Sequence, residues 1–486
     1  MCHGERRGAG FMTDIPLRVG LCGIGLEAYW PQFDGLRARL EGYVCQIGQR
    51  LERAGILVEN LGMVDSPQRG REAGHACRRA DVDLLILYVT TYALSNSVLP
   101  MVQRAKVPVL VLNLQPEPAI DYDAFNRLAN RTAMTGEWLA FCSACPVPEI
   151  ANVLARAHIA FHQVTGVLGD DETWKEIDEW IEAAHVKKAL AENRLGLLGH
   201  YYSGMLDIMT DVTQVSITFG SHVEHLEVDE LSALCGDISD AEIDARIEDF
   251  RNHFDVEPDC AQEELKRAAR TSVALDCFAR AHDLQSLAYY YMGRGVPANE
   301  DTMSSIILGT SLLTARGIPV AGEYEVKNVL AMKILDCLGV GGSFTEYYAL
   351  DLKSDQVLMG HDGPGHIAIA EGRTKVRQLD VYHGKVGCGL SVEMSVKHGP
   401  VTLLSVVEDA AHGFKLLVAH GQCVPGPVLR IGNTNSHYRF PIGARPFVEA
   451  WNAQGPAHHC AVGLGHLAGK LGKLAQLLEI PLVRVC

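Results

Sequence analysis

The chain is poor in positive charge. Lys and Arg total 43 against 59 Asp and Glu, a formal net charge of −16. That balance argues against a nucleic-acid binder or a protein that coats anionic membrane. It also lacks any uninterrupted apolar run long enough to span a bilayer. The opening MCHGERRGAGFMTDIP contains no apolar stretch, so no secretory leader is expected. Cysteine is present 14 times, but a pairing pattern is missing. The thiols are scattered, and only Cys142 and Cys145 form a CxxC. No second pair completes a four-thiolate zinc site, so reduced thiols in a cytoplasmic protein are the expectation. Internal repeats and low-complexity tracts are lacking as well.

What is there reads as a multidomain globular chain. The 486 residues allow about three domains on length alone. Hydrophobic residues make up 48% and charged residues 21%, a globular balance. PLRVGLCG (16–23), ILVENLG (56–62), DLLILYVT (83–90) and PVLVLNL (108–114) are apolar runs separated by helical segments. Continuous rather than alternating strands predict a parallel sheet covered on both faces. WLAFC (138–142) extends the pattern. Residues 12–165 are thus expected to form a Rossmann-like α/β domain, with the loop 23–35 on its ligand-binding edge. A second α/β domain is expected over 166–317, with RLGLLGHY (194–201) and MLDIM (205–209) as strands. From 318 to 486 short strand-like runs with glycine turns dominate, among them HIAIAE and GLSVEMSV. They predict an antiparallel, barrel-like β domain with helices.

Ten of the 20 histidines lie from His361 onward. Histidine is the commonest metal ligand. Glu323 follows the predicted strand IPVA at a helix entry. Glu346 follows a glycine pair in GGSFTEYY, His361 ends QVLMGH, and GPAHHC places His458 and His459 before the last helix. Two carboxylates and two imidazoles at element ends suit a divalent ion with open positions, manganese first. Plainer roles fit the same residues: a helix cap for Glu323, a solvated strand position for Glu346, an Asp/Gly-rich turn in HDGPGH after His361, and a polar loop before a helix for the histidine pair.

The order AGE…GGSFTEYY…GH…AHH resembles the L-arabinose isomerase and L-fucose isomerase superfamily, closest to its arabinose isomerase branch. The resemblance is specific at those positions and looser elsewhere. FNRLANRTAMTGEWLAF (125–141) resembles a segment that contributes to a neighbouring subunit's pocket. GIGLEAYWPQF (23–33) stands at the substrate-facing first loop. The resemblance implies Glu323, Glu346, His361 and His459 as ligands of Mn2+, with Co2+ or Mg2+ as alternatives. It implies Glu323 and Glu346 as the proton-transferring pair of an aldose–ketose isomerase working through a cis-enediol. The implied substrate is an aldopentose or a (6-deoxy)aldohexose. Tyr29, Trp30, Gln32, Arg131, Met134, Tyr347, His366 and His458 are its implied sugar-contact positions, and Tyr348 stands beside them. A homo-oligomer, trimer or hexamer, with an active site shared between subunits is implied too. The chain departs from the family where NQTAHGG becomes Asn130, Arg131, Thr132, Ala133, Met134, Thr135 and Gly136. Arg131 there admits an anionic sugar or a plain surface role. Two other classes remain in view. One is a non-catalytic sugar-binding or regulatory protein on the same fold; the other is a metal-dependent hydrolase or aldolase.

Overall fold

The computed structural model describes residues 16–486 apart from 294, 381, 383–386 and 410–412. The chain divides into two compact units, residues 13–188 and 189–486.

The first unit is built on a five-stranded, all-parallel sheet. Its order is Ile56–Val64, Leu17–Ile24, Leu84–Val89, Val109–Gln115, His162–Val167. Every residue of Leu84–Val89 is buried, as a strand covered on both faces requires. The predicted extension WLAFC is not a strand. Arg131–Leu139 is a helix and the next residues are turn. The fifth strand is instead His162–Val167, whose half-exposed, mixed sequence carries little apolar signal.

The second unit holds a four-stranded parallel sheet, ordered Val320–Ala321, Ser286–Tyr290, Arg194–Gly199, His222–Leu226. It also holds a closed antiparallel barrel. The barrel strands run Gly399–Asp409, His459–Leu464, Gly341–Asp351, Gln356–His361, Thr434–Arg439, Gly413–Val424, and the last pairs back to the first. Val357, Leu403, Leu417, Tyr438 and Trp451 pack in its core. The helix Val326–Cys337 lies between the parallel strands and the barrel, and all its residues are buried. A helix buried all round fits that position.

Three segments depart from expectation. MLDIM (205–209) is a loop, because the Lys327 ammonium takes the carbonyls of Asp207 and Met209 at 2.8 and 3.2 Å and pins the backbone away from a sheet. HIAIAE forms a single tight turn at Ile367–Ile369 rather than a barrel strand. Gly389–Glu393 pairs with Lys375–Leu379 in a small separate sheet, completed by Asp255–Val256.

Among the described residues no helix is long and apolar enough to cross a membrane.

Candidate metal centre

The centre begins where the second parallel sheet ends. Ala321 closes the strand Val320–Ala321, and Glu323 and Tyr324 follow with φ of 57° and 64°. Two successive side-chain-bearing residues in the left-handed region cost about 1–3 kcal/mol each, and such strain persists only where the surroundings enforce it. Here they do. The Tyr324 N–H donates to the Tyr289 carbonyl at 3.0 Å, and the Glu325 N–H to the Gly322 carbonyl at 3.1 Å. The Tyr324 ring stands edge-on to Tyr201 at 4.7 Å, and its hydroxyl lies 3.2 Å from His225 Nδ1. The turn throws the Glu323 carboxylate out at the carboxyl edge of the sheet, the usual ligand edge of α/β sheets. Glu325, not Glu323, caps the following helix, accepting the Lys327 N–H at 3.2 Å.

The barrel supplies the remaining groups. Glu346 lies within Gly341–Asp351, in register with Gly360 on one side and His459 on the other. Gly360 must be glycine, because a Cβ there would run into the Thr434 carbonyl. His361 ends its strand and His459 begins one.

These placements bring five side chains together. Glu323 Oε1 lies 3.8 Å from His361 Nε2, and its Oε2 lies 3.4 Å from His459 Nε2 and 3.6 Å from His458 Nε2. His458 Nε2 is also 3.9 Å from Glu346 Oε2. Glu323, His458 and His459 each offer a ligand atom within 4.8 Å of the others. Phe344, fully buried, packs against both His361 and His459, with ring centroids 4.1 and 4.5 Å away. It fixes the two imidazoles as a rigid wall.

The electrostatics distinguish the two adjacent histidines. His459 is wholly buried, and neither ring nitrogen makes a hydrogen bond. His458 is 36% exposed. Partial burial works against its charge, but Glu323 and Asp207 outweigh that and push its pKa up to about 9. Asp207 Oδ2 accepts from both the backbone N–H of His458, at 3.0 Å, and its Nδ1, at 2.6 Å. His458 is therefore a cation lying between carboxylates at neutral pH.

The other expected contact residues fall in different surroundings. Tyr347 turns toward the barrel core against Phe447, and burial raises its hydroxyl pKa. Tyr348 takes a hydrogen bond from Asn433 at 3.1 Å. His366 is fully buried with both ring nitrogens lacking a hydrogen bond, and burial lowers its pKa to about 4. Tyr29, Trp30, Gln32, Arg131 and Met134 belong to the first unit. There Trp30 Nε1 donates to Asp65 at 2.7 Å, Gln32 donates to the Ala28 carbonyl at 2.7 Å, and Tyr29 packs edge-on to Phe33. Arg131 is exposed at the start of the helix that also carries Met134. Sequence reasoning passed over Asp207, Glu325, Lys327 and Phe344. Asp207 was hidden in an apolar stretch read as strand. The other three sit within a few residues of expected ligands, where nothing but three-dimensional placement separates them from ordinary core and cap positions.

Residues 341–481 match the model of the L-arabinose isomerase C-terminal domain, and residues 208–292 that of the L-arabinose isomerase central domain. Glu346, His361, His458 and His459 lie within the first match. The L-arabinose isomerase of a Nocardioides species is 25% identical over 354 residues, covering 69% of this chain and 68% of its own. That of Vibrio parahaemolyticus is 22% identical over 467 residues, covering 88% and 86%. That of Klebsiella pneumoniae is 23% identical over 442 residues, covering 85% and 83%. Two domain models match in order, and the chain is similar to L-arabinose isomerases along most of its length.

Proposed function

We propose that this chain is a metal-dependent aldose–ketose isomerase. The observation that carries the reading is the convergence of Glu323, Glu346, His361 and His459, with His458, at the junction of a parallel-sheet edge and a barrel end. The donor set fits a divalent ion. Two carboxylates and two imidazoles suit an ion of the manganese type. The fully buried His459 ring, with no hydrogen bond at either nitrogen, is what a ligand awaiting its ion presents. Glu323, Glu346, His361 and His459 would hold the ion. Bound there, it would polarise the sugar carbonyl and fix two neighbouring oxygens as a Lewis acid and template.

The remaining work falls to side chains. Aldose and ketose differ by a hydrogen moved between C2 and C1 and a proton moved between O2 and O1. One carboxylate of the Glu323–Glu346 pair removes the proton from one carbon and returns it to the other through a cis-enediol, while the other carboxylate carries the hydroxyl proton between the two oxygens. His458, its ring fixed at Nδ1 by Asp207 and its Nε2 turned toward the carboxylates, would hydrogen-bond a sugar oxygen. The strained turn at Glu323 and the Phe344 wall hold these groups in fixed relation, so little reorganisation accompanies the reaction. An aldopentose or a 6-deoxyaldohexose is the substrate class in view, with L-arabinose first because the relatives carry that name. The test is to strip the purified protein with chelator, restore Mn2+ and assay ketose formation from an aldose panel. Recovery by Mn2+ in the wild type and its loss in Glu346→Gln and His459→Ala is the expected result. Full metal-dependent activity in both variants would overturn the assignment.

A further inference from the structure

A second carboxylate faces the other edge of the His459 ring. Glu325 is wholly buried, and its Oε2 lies 3.6 Å from His459 Nδ1, while His459 Nε2 faces Glu323. Neither Glu325 Oε2 nor His459 Nδ1 has a hydrogen-bond partner. Two buried polar atoms able to pair, an imidazole nitrogen and a carboxylate oxygen, are left opposite one another. A closure of about 0.6 Å brings them into hydrogen-bond range. Unpaired, each carries the desolvation penalty of a buried polar group. Catalytic hydrogen bonds are often long before ligand binds and tighten afterwards.

The rest of the Glu325 carboxylate is already anchored. Its Oε1 accepts the Lys327 N–H, and the buried Lys327 ammonium stands 3.7 Å from the same oxygen. That ammonium also donates to the carbonyls of Asp207 and Met209, and Asp207 holds His458. Each member of the histidine pair thus has its own carboxylate on Nδ1, and Lys327 ties the two carboxylate-bearing segments together.

We infer that Glu325 is the positioning residue for His459, taking its Nδ1–H so that Nε2 is the nitrogen presented to a divalent cation, with Lys327 holding Glu325 in place. Carboxylate partners of metal-bound histidines orient the ring and raise its basicity, and their loss costs about 10–100-fold in metal affinity. The inference rests on the metal-site reading above and adds a residue that does not itself touch the ion.

The test measures Mn2+ binding to the chelator-stripped full chain by the electron paramagnetic resonance of free Mn2+. Co2+ absorption supplies a readout of ligand geometry. Glu325→Gln is expected to weaken Mn2+ binding about 10–100-fold and to change the Co2+ ligand-field bands. The double variant Glu325→Gln/Lys327→Met removes both buried charges and separates positioning from mere charge balance. It is expected to stay weak, and it serves as the reporter if Glu325→Gln alone does not fold. Affinity within twofold of wild type in Glu325→Gln, or recovery in the double variant, overturns the inference while leaving the metal site standing. If the wild type binds no Mn2+, or His459→Ala binds it as well as wild type, the metal-site reading itself fails and takes this inference with it.

Discussion

Two parallel sheets in this chain end in the same kind of edge, and they carry different chemistry. After Leu17–Ile24 the chain passes through Gly25 into a short turn, Glu27–Tyr29. That edge is dressed with an aromatic side chain tied to a carboxylate, Trp30 to Asp65, with the Arg37 guanidinium 5.9 Å from the indole. After Val320–Ala321 the chain instead makes a strained left-handed turn that exposes Glu323 to histidines from barrel strands. Among the described residues, only this second edge brings three metal-type ligands within reach of one another. The comparison teaches that a sheet edge supplies a place and not a chemistry. The chemistry arises where a second element, here the barrel, delivers side chains to that place in register.

The comparison breaks most sharply if Glu346 proves dispensable. Glu346→Gln is expected to reduce Mn2+-dependent ketose formation about 10³-fold, roughly 4 kcal/mol of barrier. A steady-state assay on metal-loaded protein reads it, and a loss under tenfold would place the chemistry elsewhere.

The next effect concerns how the second unit is braced. Asp276 is nearly buried and pairs with Arg246 at 2.6 Å and with Arg316. Burial alone would raise its pKa, but the two guanidiniums hold it below the ordinary carboxylate value. Its contribution is therefore present above the unfolded carboxylate range and is lost as pH falls through the depressed folded value. Asp276→Asn leaves the buried Arg246 with only the more exposed Asp249, 3.5 Å away, and is expected to cost about 3 kcal/mol at neutral pH. Urea unfolding of wild type and variant at a series of pH values should show the gap narrowing only below about pH 4. A gap independent of pH would contradict the ion-pair account.

A smaller change is expected at the clamp on His458. Asp207→Asn keeps a hydrogen-bond acceptor but removes the charge, and should lower kcat about tenfold with KM for Mn2+ little changed. A shift in metal affinity alone, with kcat intact, would move His458 from the sugar side to the metal side. Smallest of all is the first unit's Arg39–Glu137 pair, joined at 2.6 Å with both side chains about one-third exposed. Arg39→Ala should cost no more than about 1 kcal/mol of stability and leave Mn2+ binding untouched. A loss of metal binding there would dissolve the contrast between the two edges.

The parallel sheets were legible because a strand buried on both faces must be apolar throughout, as Leu84–Val89 is. The positions of Glu323, His361 and His459 at element ends were legible for a related reason, whereas Glu346, expected at a strand start, lies in the middle of Gly341–Asp351. Side chains that break an apolar pattern at a strand terminus are where a fold exposes function. The same rule misled at MLDIM, whose apolar letters read as strand. Its backbone is held as a loop by Lys327, 118 and 120 residues away in sequence. Glu325 was illegible for another reason. It is both a helix cap and a neighbour of His459, and from sequence the cap role is an alternative reading of Glu323 instead. Long-range pairings of buried charges leave no periodicity, so Asp207, Glu325 and Lys327 become visible only once the chain is folded.

The central claim is that the Glu323–Glu346–His361–His459 cluster holds a divalent ion that the isomerisation needs. The most direct measurement is ketose formation by chelator-stripped protein before and after Mn2+ is restored, beside His459→Ala treated identically. The account expects no turnover in the stripped wild type, recovery on adding Mn2+, and no recovery in the variant. Undiminished turnover in the stripped protein, or equal recovery in His459→Ala, would contradict it.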